Sequence, residues 1–337
     1  MTMSTPRAPG HLRPLRYQDD VPTLLPLMRA SLVPEPHEPA AEAVLQAMMH
    51  ALAYVPRGET TEAHVRRGRA PFFGWVWEHE GRPRGLITLL PMTFRPWRYL
   101  LANIVVHPEM RRQGIGRALV QHALTYVRRR RGQAWLEVET DNTPALALYA
   151  SLGFREVLQR REWRYTLRVT DARRAEIGAR IRPMRGADWP RVQSWLDAAY
   201  PSEYRWRWSP RPLGRLLRPD WRGALARWWT ATPQGHRWVV ETKERRMTAM
   251  WAWWPELGTV QRLLYLVAEP TLSRAGVQAG LWALAHALEP VWSLTPRAGQ
   301  TREEPYFLYL DLPAARHGDV LRAAGWHLLR SLAVLRA

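Results

Sequence analysis

The residues best placed to bind a ligand are two glycines, Gly114 and Gly116, in a basic turn within residues 105–116. An apolar run over residues 99–106 predicts a strand before the turn, and a helical pattern follows from Arg117. The first NH groups of a helix have no partner within it, and the aligned peptide dipoles place partial positive charge there. Because glycine has no side chain, the backbone can approach a ligand closely. The stretch therefore predicts a binding site for an anion such as phosphate.

The composition limits the compartment and the cofactors that we expect. With 337 residues, the chain has ample length for two domains. It contains no cysteine, which excludes disulfides and thiolate metal sites, and we expect no metal cofactor. Residues 1–30 lack the apolar stretch of a signal peptide, and no apolar run is long enough to span a bilayer. We therefore expect a cytoplasmic protein that does not bind membranes.

The net charge of +19 raises the question of nucleic-acid binding, since positive charge attracts phosphate backbones. The charge is spread evenly, because residues 1–170 hold 24 basic and 15 acidic side chains and residues 171–337 hold 25 and 15. Lys243 is the only lysine, which indicates a bias toward arginine along the whole chain. Without a basic tail or a separate basic domain, a nucleic-acid partner is not expected.

The glycine turn lies within a predicted series of strands and helices. Two strands over residues 72–78 and 84–90 form a hairpin, and the strand over 99–106 continues the sheet. After the helix that follows the turn, residues 135–138 predict another strand. Thr143 and Pro144 then start a helix that ends near Gly153, and a strand over 154–167 closes the unit.

Two motifs in this order, residues 106–116 followed by Leu119 and residues 142–154, resemble the GNAT superfamily of acyl-CoA-dependent N-acyltransferases. The resemblance implies an α/β (α+β) fold in which a mixed, mostly antiparallel twisted sheet is flanked by helices. It also implies acetyl-CoA as the cosubstrate, with the glycine turn holding the CoA pyrophosphate and the preceding strand pairing with the pantetheine arm. The implied cofactor-binding residues are Ile104, Val105, Val106, Arg111, Arg112, Gln113, Gly114, Ile115, Gly116, Asn142 and Tyr149.

The resemblance further implies that a substrate amine attacks the thioester carbonyl directly, without a covalent enzyme intermediate. Tyr149 is the candidate general acid for the departing thiolate, because the acidities of thiols and phenols are close. A packed aromatic residue on an amphipathic helix is the structural alternative. Strand NH groups near Val105 are candidates to polarise the carbonyl. Asn142 either faces the cofactor together with Tyr149 or simply caps its helix.

No general base follows from the sequence. The strand over residues 99–106 has no carboxylate, although some family members place one there. Glu137 and Glu139 share one face of the next strand and could act directly or through water, but a solvated pair at a sheet end is equally consistent. His107 and Glu109 are expected to be exposed. The base is therefore left unassigned.

The second half of the chain repeats the first. Three matches occur in the same order. Arg182-Pro-Met-Arg185-Gly-Ala-Asp188 matches Arg13-Pro-Leu-Arg16-Tyr-Gln-Asp19 at an offset of 169 residues. Residues 267–278 match 105–116 at an offset of 162, and Gly325-Trp326 matches Gly153-Phe154 at an offset of 172. The chain is thus predicted to hold two tandem GNAT-like units, a catalytic one over residues 11–169 and a second over 180–337, joined by a polar linker over 170–180. This arrangement is similar to mycothiol synthase and its relatives.

The second copy differs at the positions that would face the ligand. Three replacements are predicted: Gln278 for Gly116, Ser273 for Arg111 and Leu321 for Tyr149. A side chain would then block close approach to the backbone, and the proton donor would be absent. We expect the second unit neither to catalyse nor to bind CoA, and to be structural or substrate-selecting.

The sequence therefore predicts an N-acetyltransferase of the EC 2.3.1 class, whose acceptor is a small-molecule amine or a protein amine. A non-catalytic acyl-CoA-binding sensor or regulatory protein is the alternative. Tyr149 and the glycine turn favour the enzyme, whereas the missing base favours the sensor. The acceptor, the acyl-chain length and the oligomeric state are left open.

Overall fold

A computed structural model describes residues 10–32, 39–92, 97–167, 179–201, 236–255, 262–283, 306–313 and 316–337. The chain divides into two compact units, Met1–Glu156 with Val334–Ala337, and Val157–Ala333. Most of the predicted linker over 170–180 lies outside the described residues. Among those described, no helix is long and apolar enough to cross a membrane.

Unit 1 is built on five strands with helices on both faces. Its elements are β1 (His11–Pro14), α1 (Tyr17–Leu32), α2 (Pro39–Ala51), α3 (Glu62–Arg66), β2 (Phe73–His79), β3 (Arg82–Pro91), β4 (Arg98–Val106), α4 (Ile115–Arg129), β5 (Gln133–Glu139) and α5 (Thr143–Ser151). The strands lie in chain order, and all neighbours are antiparallel except β4 and β5, which are parallel. This mixed, mostly antiparallel sheet agrees with the prediction.

The two faces of the unit 1 sheet have separate cores, because successive strand residues point to opposite faces. Val76, Leu86 and Val105 pack in one core with residues of α1 and α2. Trp75, the neighbour of Val76, contacts the rings of α4 on the other face, where the centroid of His122 lies 4.7 Å away. The helix α4 therefore covers the face opposite α1 and α2.

Unit 2 repeats this arrangement. Its elements are β6 (Arg155–Leu167), β7 (Arg180–Pro183), α6 (Trp189–Ala199), β8 (His236–Glu241), β9 (Met247–Pro255), β10 (Arg262–Ala268), a helix α7 over residues 274–283, β11 (Tyr306–Pro313), α8 (Gly318–Ala323) and β12 (His327–Arg336). The strand order is β7-β8-β9-β10-β11-β6-β12, and β10 and β11 pair in parallel.

The compact units do not coincide with the units of the sequence repeat. Strand β6 ends the first repeat in sequence, yet its residues 160–167 pair antiparallel with β11. The chain's last four residues belong to unit 1, where Ala337 exchanges backbone hydrogen bonds with Ala134 of β5. Residues 157–167 therefore lie in unit 2 and residues 334–337 in unit 1, because strand pairing is set by non-local contacts that a linear repeat does not reveal.

A half-buried arginine supports the first strand of each unit in the same way. In unit 1, Arg13 donates to both oxygens of Asp20 and to Glu78 at 2.6–2.8 Å. In unit 2, Arg182 donates to Asp188 and Glu241 at 2.7 Å. These charge-assisted hydrogen bonds hold the pKa of Glu78 and the pKa of Asp188 below their usual values.

The partner of Arg13 is Asp20, whereas the sequence match aligns Asp188 with Asp19. The carboxylate of Asp20 also accepts from the NH group four residues back, that of Arg16, while Asp188 accepts from the NH group of Arg185, three residues back. Unit 1 therefore has one more residue in this turn than unit 2. The alignment of the repeat was wrong by one residue at this position.

Candidate functional site

The glycine turn, defined here as residues 111–116, joins β4 to α4. Gly114 adopts the left-handed conformation with φ of 79°, and a Cβ atom there would have no neighbour within 4 Å, so the requirement for glycine is conformational. At Gly116, an added Cβ would lie 3.6 Å from Leu148, which is an ordinary contact. Packing within the chain does not require glycine at position 116, whereas the close approach of a ligand would.

The NH groups of residues 112–117 donate to no other group within the described part of the chain. The helix α4 begins at Ile115 rather than at Arg117, and its first turn contains no acidic residue. Around it, Arg111 donates to the Val106 carbonyl at 3.1 Å, and Arg117 donates to the Ser151 hydroxyl at 2.8 Å. The turn thus combines outward NH groups with positive charge, which suits an anion.

Strands β4 and β5 separate next to this turn. They pair in parallel from Arg98 with Gln133 to Leu101 with Leu136, while β4 extends to Val106. Beyond these pairs, residues 102–106 of β4 have no registered partner in β5. We call the space between them and residues 137–139 the β4–β5 gap. It opens directly before the glycine turn, so a ligand bound at the turn could extend along β4.

A β-bulge interrupts β4 at this gap. Thr88 pairs with Ala102, but Leu86 pairs with Val105, so β4 has one more residue than β3 between the two pairs. Asn103 sits in the bulge with φ of 48°, and its amide Nδ2 donates to the Thr88 hydroxyl at 2.9 Å. Sequence reasoning missed this feature. Its only signal was an asparagine, which tolerates the left-handed conformation, inside an apolar strand.

Tyr149 lies on α5 with its ring buried to 6% exposure and packed edge-on against Phe154, with 5.8 Å between ring centroids. In the described part of the chain its hydroxyl has no hydrogen-bond partner, and the hydroxyl oxygen is not fully buried. The hydroxyl therefore reaches the surface. Burial raises the pKa of Tyr149 to about 12, so the phenol stays protonated at neutral pH.

Asn142 is the N-cap of α5, and its side-chain oxygen accepts a hydrogen bond of 3.2 Å from the NH group of Ala145. Of the two roles considered for Asn142, the structure shows the capping one. The cap fixes the start of the helix that carries Tyr149.

The candidate bases differ in their surroundings. His107 is half-buried rather than exposed, and its Nδ1 lies 3.7 Å from the carboxylate of Glu109, which is exposed as expected. His107 is less accessible because its NH group continues the ladder to β3. Glu137 and Glu139 are half-buried at the end of β5, beyond its last pair with β4. These two residues lie in the part of β5 that borders the β4–β5 gap.

The second copy of the turn, residues 273–278, has a different structure. Helix α7 already begins at residue 274, three positions before the residue that matches the start of α4. Ser273 caps this helix, because its hydroxyl accepts from the NH group of Gly276 at 3.2 Å. The matching NH group in unit 1, that of Gly114, has no partner among the described residues. A side chain of the protein thus takes the place that a ligand could occupy in unit 1.

The tyrosine helix is also repeated. Both copies end with a left-handed glycine, Gly153 and Gly325, each with φ of 87°. In both, the NH group after this glycine donates back to the residue at the Tyr149 position, which is Leu321 in unit 2. The predicted equivalence of these two residues agrees with the geometry.

The part of the chain that contains the glycine turn and Tyr149 matches a known protein family. Residues 41–154 match the model of the acetyltransferase (GNAT) family. The ribosomal protein bS18 alanine N-acetyltransferase of Escherichia coli is 47% identical over 79 residues, which are 23% of this chain and 51% of that protein. The N-alpha-acetyltransferase RimI of Mycobacterium tuberculosis is 44% identical over 80 residues, 22% of this chain and 49% of that protein. The chain thus spans about half the length of the curated relatives it matches.

Two solved structures match nearly the whole chain. A GCN5-related N-acetyltransferase from Sphaerobacter thermophilus has a TM-score of 0.55 at 14% identity, covering 97% of this chain and 95% of that one. A tandem GNAT protein from the clavulanic acid biosynthesis pathway has a TM-score of 0.53 at 17% identity, covering 98% of both chains. At these identities the likeness shows the fold alone. The chain therefore has a tandem GNAT fold, and its residues 41–154 carry the match to the acetyltransferase (GNAT) family.

Proposed function

We propose that this protein transfers the acetyl group of acetyl-CoA to a primary amine, and that unit 1 carries out the reaction. The observation that carries the proposal is the position of the glycine turn, whose unpartnered NH groups lie directly beyond the β4–β5 gap. A phosphate at the turn and an extended chain along β4 would place an acyl group in the gap. The family match and the printed names of the relatives support this chemistry.

The residues of the turn suit the pyrophosphate of CoA. Backbone NH groups of residues 112–116 would hold it, with Arg111 and Arg112 adding positive charge. Backbone groups of Ile104, Val105 and Val106 would hold the pantetheine arm. Acetyl-CoA supplies a thioester carbonyl that an amine can attack. The protein contributes orientation of the two reactants and stabilisation of the negative charge that develops on the carbonyl oxygen.

Tyr149 would donate its phenolic proton to the departing thiolate. Its hydroxyl is protonated at neutral pH, as an ordinary phenol is, and burial raises its pKa further, to about 12. The amine must lose a proton as well. Glu137 and Glu139 border the gap and are candidates to accept it, directly or through water, and this assignment stays open.

Unit 2 would not bind CoA. Ser273 already accepts a hydrogen bond from the NH group of Gly276, and Gln278 stands at the position of Gly116. With Leu321 in place of Tyr149, it also lacks the proton donor. Unit 2 would then support unit 1 or select its substrate. The likeness to mycothiol synthase and the cytoplasmic location stay predictions.

A colorimetric thiol assay tests the proposed activity with unusually low background, because the chain contains no cysteine of its own. Acetyl-CoA is mixed with small amines, lysine peptides and peptides with a free N-terminal alanine, and released CoA thiol is measured. The two peptide classes follow the substrates printed in the names of two relatives. Amine-dependent thiol release that falls sharply in Tyr149→Phe supports the enzyme.

A non-catalytic acyl-CoA sensor is the second candidate, because β4 has no carboxylate that could act as a base. It predicts binding of acetyl-CoA without thiol release for any amine. The sensor hypothesis also predicts that the wild-type protein and Tyr149→Phe bind acetyl-CoA with equal affinity.

A further inference from the structure

The β-bulge in β4 decides which backbone groups face the β4–β5 gap. In an antiparallel ladder, residues whose NH and C=O groups point to the partner strand alternate with residues that point away. Before the bulge, the carbonyl of Arg98 accepts from Met92 at 2.9 Å and so points to the β3 side. Leu100 and Ala102 follow the same alternation. The Thr88 hydroxyl of β3 donates to the Ala102 carbonyl at 3.0 Å, as this direction requires.

After the bulge, the alternation is reversed. The NH group of His107 donates to the carbonyl of Arg84 at 2.8 Å, so His107 points to β3. Val105 points to β3 as well, and Ile104 and Val106 point away from it, toward the gap. Along β4, the backbone groups of even-numbered residues therefore point to β3 before the bulge and to the gap after it. The NH groups of Ile104 and Val106, rather than that of Val105, are therefore the ones available to a ligand.

Two side chains hold this bulge in place. The Asn103 amide donates to the Thr88 hydroxyl, and that hydroxyl donates to the Ala102 carbonyl. Thr88 is fully buried, so its end of both hydrogen bonds is shielded from water. The pair joins the bulged residue of β4 to β3 and fixes the left-handed backbone of Asn103.

The fold itself does not require the bulge. In unit 2, β9 and β10 pair without interruption from Pro255 with Arg262 to Ala249 with Ala268. Tyr265 stands there at the position that matches Asn103, and it pairs in regular register with Ala252. The bulge is present in the copy with the open glycine turn and absent from the copy with the capped turn.

We propose that Thr88 and Asn103 form a clamp that aims the Ile104 and Val106 NH groups at the acyl donor, and that both are positioning residues for acyl transfer. The inference rests on the proposed function and adds specific residues to it. Neither side chain needs to touch the substrate, since each acts through the backbone of β4. A misplacement of the reacting groups by about 1 Å can reduce the rate about 100-fold.

Thr88→Val tests the clamp, because it removes the hydroxyl and keeps the shape. We expect kcat to fall between about 10-fold and 100-fold, while the dissociation constant for acetyl-CoA changes less than about threefold. Thr88→Ser restores the hydroxyl and should keep kcat within about threefold of the wild type. Thr248→Val is the matched control, because the Thr248 hydroxyl of β9 also donates across strands, to the Val240 carbonyl of β8 in unit 2. It should leave kcat unchanged.

A second readout does not depend on turnover. In amide NMR spectra of the full chain, acetyl-CoA should shift the Ile104 and Val106 signals in the wild type, and these shifts should be lost in Thr88→Val. The clamp is refuted if these amides do not respond in the wild type, if Thr88→Val keeps kcat, or if it loses affinity and kcat together. Absence of transfer by a wild type whose two amides do respond would refute the proposed reaction. A loss of these responses in Thr88→Val would then still support the clamp as the feature that aims the two NH groups at bound acetyl-CoA.

Discussion

The two halves of this chain share a frame and differ in their ligand-facing surface. In each half, an arginine of the first strand, Arg13 or Arg182, is hydrogen-bonded to carboxylates. In each, the helix with Tyr149 or its counterpart Leu321 ends at a left-handed glycine. Only unit 1 has the bulge in its central strand and an uncapped glycine turn. In unit 2, Ser273 accepts the hydrogen bond from the turn. The comparison teaches that the fold is retained without the features that would bind a cofactor.

Exchanging the proton donor for its counterpart in unit 2 should have the largest effect. Tyr149→Leu keeps a buried apolar side chain and removes the hydroxyl, so we expect kcat to fall about 100-fold to 10,000-fold, the range for a lost general acid. Tyr149→Phe should behave alike, with little change in affinity for acetyl-CoA. Steady-state kinetics with thiol detection measure this. The reverse exchange, Leu321→Tyr, should add no activity. A gain in activity would contradict the expectation that unit 2 cannot catalyse the reaction.

Exchanging the turn residue should reduce affinity rather than turnover. Gly116→Gln places the side chain of unit 2 against the NH groups that would hold the pyrophosphate. Loss of hydrogen bonds to a charged group, about 1.5–3 kcal/mol, corresponds to a dissociation constant about 10-fold to 150-fold higher. Titration calorimetry with acetyl-CoA measures it. Gln278→Gly is the matched control and should create no second site, because Ser273 still caps the helix.

Removing the arginine of the first strand should lower the free energy of unfolding rather than the activity. Arg13→Met leaves the carboxylate of Asp20 buried and unpaired, and we expect a loss of about 3 kcal/mol in the free energy of unfolding. Arg182→Met should cost less, because the side chain of Asp188 is 12% exposed and that of Asp20 only 3%. Denaturant unfolding of both variants measures the difference. Equal losses, or a larger loss in Arg182→Met, would contradict the burial argument.

The pH profile should show the smallest effect. The phenol of Tyr149 loses its proton only as the pH rises through its pKa of about 12, so its donor form is complete at every pH well below that value. We expect no fall of kcat that is due to Tyr149 between pH 7 and about pH 10, the usual pKa of tyrosine. A decrease centred near pH 10 that disappears in Tyr149→Phe would show that burial does not raise this pKa.

Local patterns predicted much of unit 1. The glycine turn, the strand before it and the helix that begins at Thr143 follow from glycine spacing, apolar periodicity and a capping residue, and these signals lie within a few residues of each other. The cap that Ser273 makes could also have been found, because serine three residues before the capped NH group is a typical N-cap pattern.

Features that depend on register were not predictable. The bulge at Asn103 needs the pairing of β4 with β3, and the exchange of chain ends between compact units needs the pairing of β6 with β11. The expectation that NH groups near Val105 polarise the carbonyl was made without the bulge. The register after the bulge narrows this expectation to the NH groups of Ile104 and Val106, and it stays a prediction.

The stoichiometry of CoA binding tests the central claim most directly. Titration calorimetry of the full chain with CoA should give one site per chain, and Gly116→Gln should weaken that site while Gln278→Gly leaves it unchanged. Two sites in the wild type, or one site that persists unaltered in Gly116→Gln, would contradict the assignment of the cofactor to unit 1.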